Sequence, residues 1–577
     1  MNVKKLVCSI ISLSLLVNCG IAALPVSASA VDTDTEIYIS PDGNDSNSGS
    51  SESPFKTLER AKAEVRVHNS NMSGNIIVNI ASGVYYMDNT LEFTQADSGT
   101  NGFSVIYRGI TDENGNSPIV SGGVDISDNW ELYDESLNIY KHENIDWSFR
   151  QLYTNNDRAI RARVPNLENK ETGGPYFRAS GGDGSYPLFI GTNNEYAQKA
   201  GNDAEIIWNS SWSQFRARIE SYNSSTGRVT FKAPDNSFAW NHHTQGDTPF
   251  YLENSLAYLD SEGEWYLDKD TSTLYYKPRE GEIMNKTEII APKLETIIDI
   301  NGTDENKTEN ITFDGIQFLH SNWLAPDSYG YCSVQGGFRY QSEGGKDNSA
   351  IRGSARYDAP KSMVQLRHTK NISLINSEFS FSGSWGIMGY EDTENTFIDH
   401  NVFTKNAGGG VTMGMAGREW DDQTENEQPR TYTDMDGQSR YDTITNNYID
   451  HVACEYQDMV GIGAMLPQHM TIANNEIGYL PYTGINIGWN WLDTDHGMTA
   501  NKVYQNYIHN TCMLLQDGGG IYSLGRMNGD SNFYYNYITD IEMSEWAPHN
   551  NLMGIYFDNG SCYKKAQSNV FDNTVYS

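Results

Sequence analysis

The sequence predicts an all-β chain: a right-handed parallel β-helix with an N-terminal capping helix and an inserted β-rich domain. Three observations carry that prediction. Among 577 residues there are 52 Gly, 36 Tyr and 12 Trp, a turn-rich, aromatic composition that suits strands. From about residue 310 one triplet recurs: Asn, any residue, then Ile or Phe. It stands at Asn401, Asn447, Asn475, Asn506, Asn536 and Asn569, with Ser377 in the same place one repeat earlier. A second landmark, Gly before Ile or Val, follows each of the first six anchors at Gly386, Gly410, Gly461, Gly484, Gly520 and Gly554. The two landmarks lie 9, 9, 14, 9, 14 and 18 residues apart, so a fixed register is interrupted by variable loops. A solenoid of one coil per repeat explains this, whereas a β-sandwich with Asn-rich turns does not. The asparagines are expected at one corner, tolerating left-handed backbone and bonding through their amides to the next coil.

The elements follow in chain order. Residues 1–30 read as a secretory signal peptide: Lys4 and Lys5, an apolar run, then Ala28-Ser29-Ala30 at cleavage spacing, which makes the expected location extracellular. Residues 31–129 should form the N-terminal cap and first coils. "IYISPDGND" gives a strand and a loop, and Thr57 is placed to cap a helix that buries Leu58, Ala61 and Val65. Between 130 and 285 the ladder is missing and hairpin-like segments such as "GEWYLDKDTSTLYYKP" replace it, so an inserted β-rich domain is expected there. Residues 286–577 should be the main solenoid. The sequence ends at "FDNTVYS", inside a repeat, leaving the last coil either exposed or continued by further chain.

Charge narrows the function. The formal net charge is −35, which disfavours nucleic acid and anionic membrane surfaces and fits a neutral substrate. After the leader, no apolar stretch is long enough to span a bilayer. Cys332, Cys454, Cys512 and Cys562 have neither metal spacing nor the density of a disulfide framework. A monomer is expected, with no cofactor and no metal.

The stretch "LLQDGGGIYSLG" then poses a question. Asp517 before three glycines is either a flexible corner or a carboxylate beside backbone bare enough for a ligand to approach. Together with "YISPDGND…SPFKTLERA", "RQLYTNNDRAIRARVPN…LYYKP" and "GIYFDNGS", it resembles glycoside hydrolase family 141, whose members act on plant cell-wall polysaccharides as α-L-fucosidases and xylanases. The resemblance implies a catalytic pair of aspartates, matching Asp517 and Asp558. Asn559 stands where that family usually has an acidic residue. Read without the resemblance, Asp558 would be an ordinary Asp-Asn-Gly turn residue.

Glycoside hydrolysis needs two carboxyl groups across the scissile bond and no metal. Counted from their landmark glycines, Asp517 and Asp558 are seven positions apart along the strand direction, roughly 23 Å if the strands are straight. A corner or a shifted register must therefore bring them together. Asp458 repeats the Gln-Asp offset of Asp517 two coils earlier, which makes it the reserve partner. Trp489, Trp491, Tyr522 and Tyr556 are the candidate sugar-binding aromatics, the tryptophans because residues two apart share one side of a strand. Two rival functions remain: a pectate-type lyase, which needs a cationic base and Ca²⁺, and a non-catalytic carbohydrate-binding or adhesive β-helix.

Overall fold

A computed structural model describes residues 34–575, except 183–187, 234, 236–246, 334, 339, 344–355, 415–436, 490, 492, 494 and 547–550. The leader expected over residues 1–30 lies outside them. No helix among the described residues is long and apolar enough to cross a membrane.

Three parallel ladders run the length of the molecule. One extends from Thr35–Ile39 to Cys562–Gln567, a second from Leu91–Phe93 to Leu552–Phe557, and a third from Val84–Tyr86 to Val570–Thr574. Each coil contributes one short strand to each ladder, which is the parallel β-helix that the repeats predict. Inward side chains form continuous columns. Phe318, Phe379 and Phe403 stack 5.2 Å apart, and Ile449, Ile477, Ile508 and Ile538 continue the same register. All of them are buried.

Both landmarks have a packing cause. At the corner, each asparagine amide oxygen accepts the backbone N–H of the asparagine one coil earlier: Asn447 on Asn475 at 3.0 Å, then Asn475 on Asn506 and Asn506 on Asn536 at 3.1 Å. Each Nδ2 also donates to the next Oδ1, so the buried amides form an unbroken chain. The left-handed residue is not the asparagine itself, as the sequence suggests, but its predecessor: His400, Asn446, Asn474, Gln505 and Tyr535 all have φ between 54° and 57°. The turn uses that residue to reverse the chain, leaving the asparagine beneath it to satisfy the backbone. The landmark glycines form a second column. A Cβ on Gly461 or on Gly484 would lie 2.8 Å from the carbonyl oxygen of the next landmark glycine, closer than a side chain can sit.

The helix Leu58–His68 is capped by Thr57, whose hydroxyl accepts Arg60 N–H at 3.1 Å, and it buries Leu58, Ala61 and Val65 as predicted. It packs on the strands Thr35–Ile39 and Ile76–Ala81 at the end of the first coils.

Between the strands Gly123–Asp125 and Ile289–Pro292 the pairing becomes antiparallel, apart from Ile160–Arg161, which runs parallel to Glu264–Asp268. The inserted region has hydrophobic clusters of its own, one around Trp208 and Phe215 and another around Trp130 and Trp265. The chain rejoins the solenoid ladders at Ile298–Asn301, and the later strand Tyr331–Cys332 reaches back to pair with Ser213–Asn223. A buried ion network reinforces the junction: Arg150 to Glu205 at 2.8 Å, and Arg216 to Glu253 at 2.6 Å, with Arg216 also donating to the Glu455 carbonyl at 2.7 Å.

Candidate active site

Asp517 and Asp558 sit on adjacent coils at opposite ends of one pair of strands. Gly518–Ser523 pairs with Leu552–Phe557 in unbroken register, from Gly518 opposite Leu552 to Ser523 opposite Phe557. Asp517 therefore precedes its strand while Asp558 follows its own, and the offset expected from the sequence is present in the backbone.

Side chains close the gap. Asp517 has φ 57°, a left-handed turn immediately before its strand. Its Oδ1 accepts from the Tyr556 hydroxyl at 3.3 Å and from Asn551 Nδ2 at 3.4 Å, and its carbonyl accepts from Tyr482 at 3.0 Å. Asp558, two residues on from Tyr556, also acts electrostatically on that phenol. Tyr556 thus stands beside both carboxylates, with its one hydroxyl hydrogen given to Asp517. Burial, with both carboxylates beside it, pushes the Tyr556 phenol well above its ordinary pKa, so it stays a neutral donor.

Asp558 is held from behind. Its N–H donates to Ser523 O at 3.0 Å, its carbonyl accepts Ser561 N–H at 3.1 Å, and its Oδ2 accepts the Tyr522 hydroxyl at 2.5 Å. Burial first, then Tyr482 and Asp558, raise the Tyr522 phenol far above its ordinary range, so it too remains protonated. The Tyr522 and Tyr556 rings meet edge to face at 5.2 Å.

The three glycines after Asp517 answer to packing. All are buried; a Cβ on Gly518 would lie 2.6 Å from Tyr482 and Thr483, one on Gly519 2.3 Å from Met553 O, and one on Gly520 2.6 Å from Ile538. They let neighbouring coils close around the aspartate. They do not bare the backbone to a sugar.

The structure separates the aromatic candidates. Tyr556 and Trp491 are half-buried, whereas Tyr522 is fully buried and Trp489 is 1% exposed. Trp489 packs against Phe338 and Trp491 as part of the core and presents no open ring face. Strand alternation does not govern this pair, because the strand stops at Ile487 and Gly488 turns with φ 97°.

Asp458 is placed differently from Asp517 despite the shared Gln-Asp offset. It is fully buried, accepting from Tyr331 at 2.5 Å, from Ser333 and from Gln214 N–H at 3.2 Å. Burial raises its pKa to about 6. Gln457 Oε1 accepts from Asn209 and Gln214, and Gln516 N–H donates to Ser211 O. Both Gln-Asp pairs thus meet the Asn209–Gln214 hairpin of the inserted region, which covers Asp458. Tyr482 and Asn551, which contact Asp517, carry no sequence signal beyond their nearness to landmark glycines.

Comparison with known proteins agrees with this architecture. The family model of the GH141 insertion domain matches residues 137–279. A solved structure described as a glycoside hydrolase is similar over 94% of this chain and 95% of its own, with 25% identity and a TM-score of 0.81. A complex of XylC with xylose (12% identity, 91% of this chain, 68% of that one) has a TM-score of 0.43. A GH136 lacto-N-biosidase from Eubacterium ramulus (9% identity, 93% and 68%) has a TM-score of 0.37. None of the curated proteins matches.

Proposed function

We propose that this glycoside hydrolase, which resembles family 141, uses Asp517 and Asp558 to cleave a plant cell-wall polysaccharide, either xylan or a fucosylated pectic or hemicellulosic glycan. The observation that carries the pair is the Tyr556 hydroxyl, which reaches Asp517 from the neighbouring coil, two residues before Asp558. In such a pair one carboxylic acid protonates the departing glycosidic oxygen. The other, as a carboxylate, attacks the anomeric carbon or takes a proton from the attacking water. Water finally adds across the broken C–O bond, so no oxidant or metal is consumed. Tyr556 serves as a neutral donor to Asp517, and Tyr522 orients Asp558 from the buried side. Trp491 is the proposed sugar-stacking surface beside them. The leader over residues 1–30 supports secretion, where such polymers are met.

The test is a screen of plant polysaccharides for released sugars, run with the wild type, Asp517→Ala and Asp558→Ala. Release by the wild type and a fall of about 10³-fold or more in each variant is expected. Unsaturated, ultraviolet-absorbing products would make the chain a lyase instead. Retained activity in either variant would remove that aspartate from the mechanism.

A further inference from the structure

Behind Asp558 lies a lysine whose surroundings require a charge. Lys564 Nζ is 2.8 Å from Ser523 Oγ, 2.9 Å from Ser561 Oγ and 3.0 Å from Leu524 O. Both hydroxyl hydrogens are already committed, Ser523 to Ile487 O at 2.7 Å and Ser561 to Ser523 O at 3.0 Å. All three neighbours are therefore acceptors. An ammonium has three hydrogens to meet them; a neutral amine has two, and would turn its lone pair towards an oxygen.

These acceptors belong to the two segments that hold Asp558. Ser523 O receives the Asp558 N–H, and Ser561 closes the turn on the Asp558 carbonyl. Lys564 ties both segments together from the strand Cys562–Gln567. The charged and titratable groups acting on it are Asp558 and Cys562, and the Phe557 ring lies 5.6 Å from Nζ.

We propose that Lys564 is a positioning residue for Asp558: as an ammonium it clamps the turn and balances the carboxylate, and its loss of a proton inactivates the enzyme as pH rises. This rests on the reading of Asp558 as catalytic. Burial draws the Lys564 pKa down to about 7, against Cys562 and Asp558, which favour the charge. Below that pH the clamp is charged; above it the ammonium and one hydrogen bond are lost.

Two measurements test the inference. Competitive acetylation read by mass spectrometry gives the Lys564 pKa without any substrate, and Asp558→Asn should lower it by roughly one pH unit. An unchanged value overturns the pairing. Rates of sugar release from the responsive polysaccharide are then followed between about pH 5 and 9 for Lys564→Met and Lys564→Arg. Lys564→Met should lose about tenfold or more in kcat with little change in KM, and should lose the alkaline decline. Lys564→Arg should restore the rate and move the decline to higher pH. A Lys564→Met enzyme with wild-type rate, or with the alkaline decline in place, overturns the proposal. So does a loss that arginine does not rescue. Full activity in Asp558→Asn would instead sink the catalytic reading, while the acetylation comparison would still decide whether the two groups are coupled.

Discussion

Tyr556 holds its hydroxyl 3.3 Å from Oδ1 of Asp517. The tyrosine stands on the coil that carries Asp558, so one side chain reaches from that coil to the other carboxylate, across strand positions that would otherwise keep them apart. Tyr556→Phe should lower kcat by about 10–100-fold with the thermal midpoint nearly unchanged, because the phenol is a partly exposed donor. Tyr522→Phe should lower kcat similarly and also cost about 1–2 kcal/mol of stability, since Asp558 loses a buried donor. Rates and midpoints measured on both variants check this; wild-type kcat in both would remove the tyrosines from the site.

Asp458 and Asp517 should behave oppositely when cut to alanine. Asp458→Ala strands three donors, Tyr331, Ser333 and Gln214 N–H, in a buried place and should cost about 3 kcal/mol or more. Asp517→Ala should change stability by less than about 1 kcal/mol. Denaturant unfolding separates the two, and equal losses would contradict the assignment.

The Asp458 carboxyl also gives stability a pH dependence. Its folded pKa of about 6 lies above the ordinary 3.8, so the folded state binds this proton more tightly. The contribution is fully present below about pH 4 and is lost as pH rises through about 6. Asp442, also raised to about 6, acts in the same direction. The slope of unfolding free energy against pH in that window should be shallower in Asp458→Asn than in the wild type; equal slopes would refute the buried, protonated form.

The paired tryptophans should divide into a core residue and a surface one. Trp489→Ala should cost about 3–5 kcal/mol, as for a large buried ring. Trp491→Ala should raise KM severalfold and cost far less stability, if sugars stack on it as proposed. Unfolding curves together with KM distinguish these outcomes, and an unchanged KM would remove Trp491 from the substrate path.

The asparagine corner predicts a contrast between neighbours. Asn475 donates through Nδ2 to Ile444 O and Asn506 Oδ1, and its Oδ1 accepts from Asn447 N–H and Nδ2. Asn475→Ala breaks the chain of amides and should cost about 2–4 kcal/mol. Asn474, at φ 56°, should tolerate glycine yet lose about 1–2 kcal/mol on replacement by valine. Thermal unfolding of the three variants decides the matter, and equal tolerance at both positions would contradict the corner geometry.

How much was legible in advance differs between backbone and site. Asn447, Asn475 and Asn506, with Gly461 and Gly484, announce the coils because each coil pairs only with its neighbours. The same local contact is remade every repeat and leaves a periodic trace. Asp458 and Asp517 show where that legibility stops. They share an offset and a preceding glutamine, yet one is sealed beneath the Asn209–Gln214 hairpin and the other stays half-exposed. That difference comes from a segment more than 240 positions away, which no repeat encodes.

Residue patterns alone announce the solenoid, its capping helix and the interrupted stretch between the ladders. Which outward-facing side chains remain accessible is settled by long-range packing. Folding turns Trp489 into core, covers Asp458, brings Tyr556 onto Asp517 and sets Lys564 behind Asp558. The physical reason is range: strand register arises from contacts repeated between adjacent coils, whereas burial and charge at a site depend on whatever distant chain folds over it.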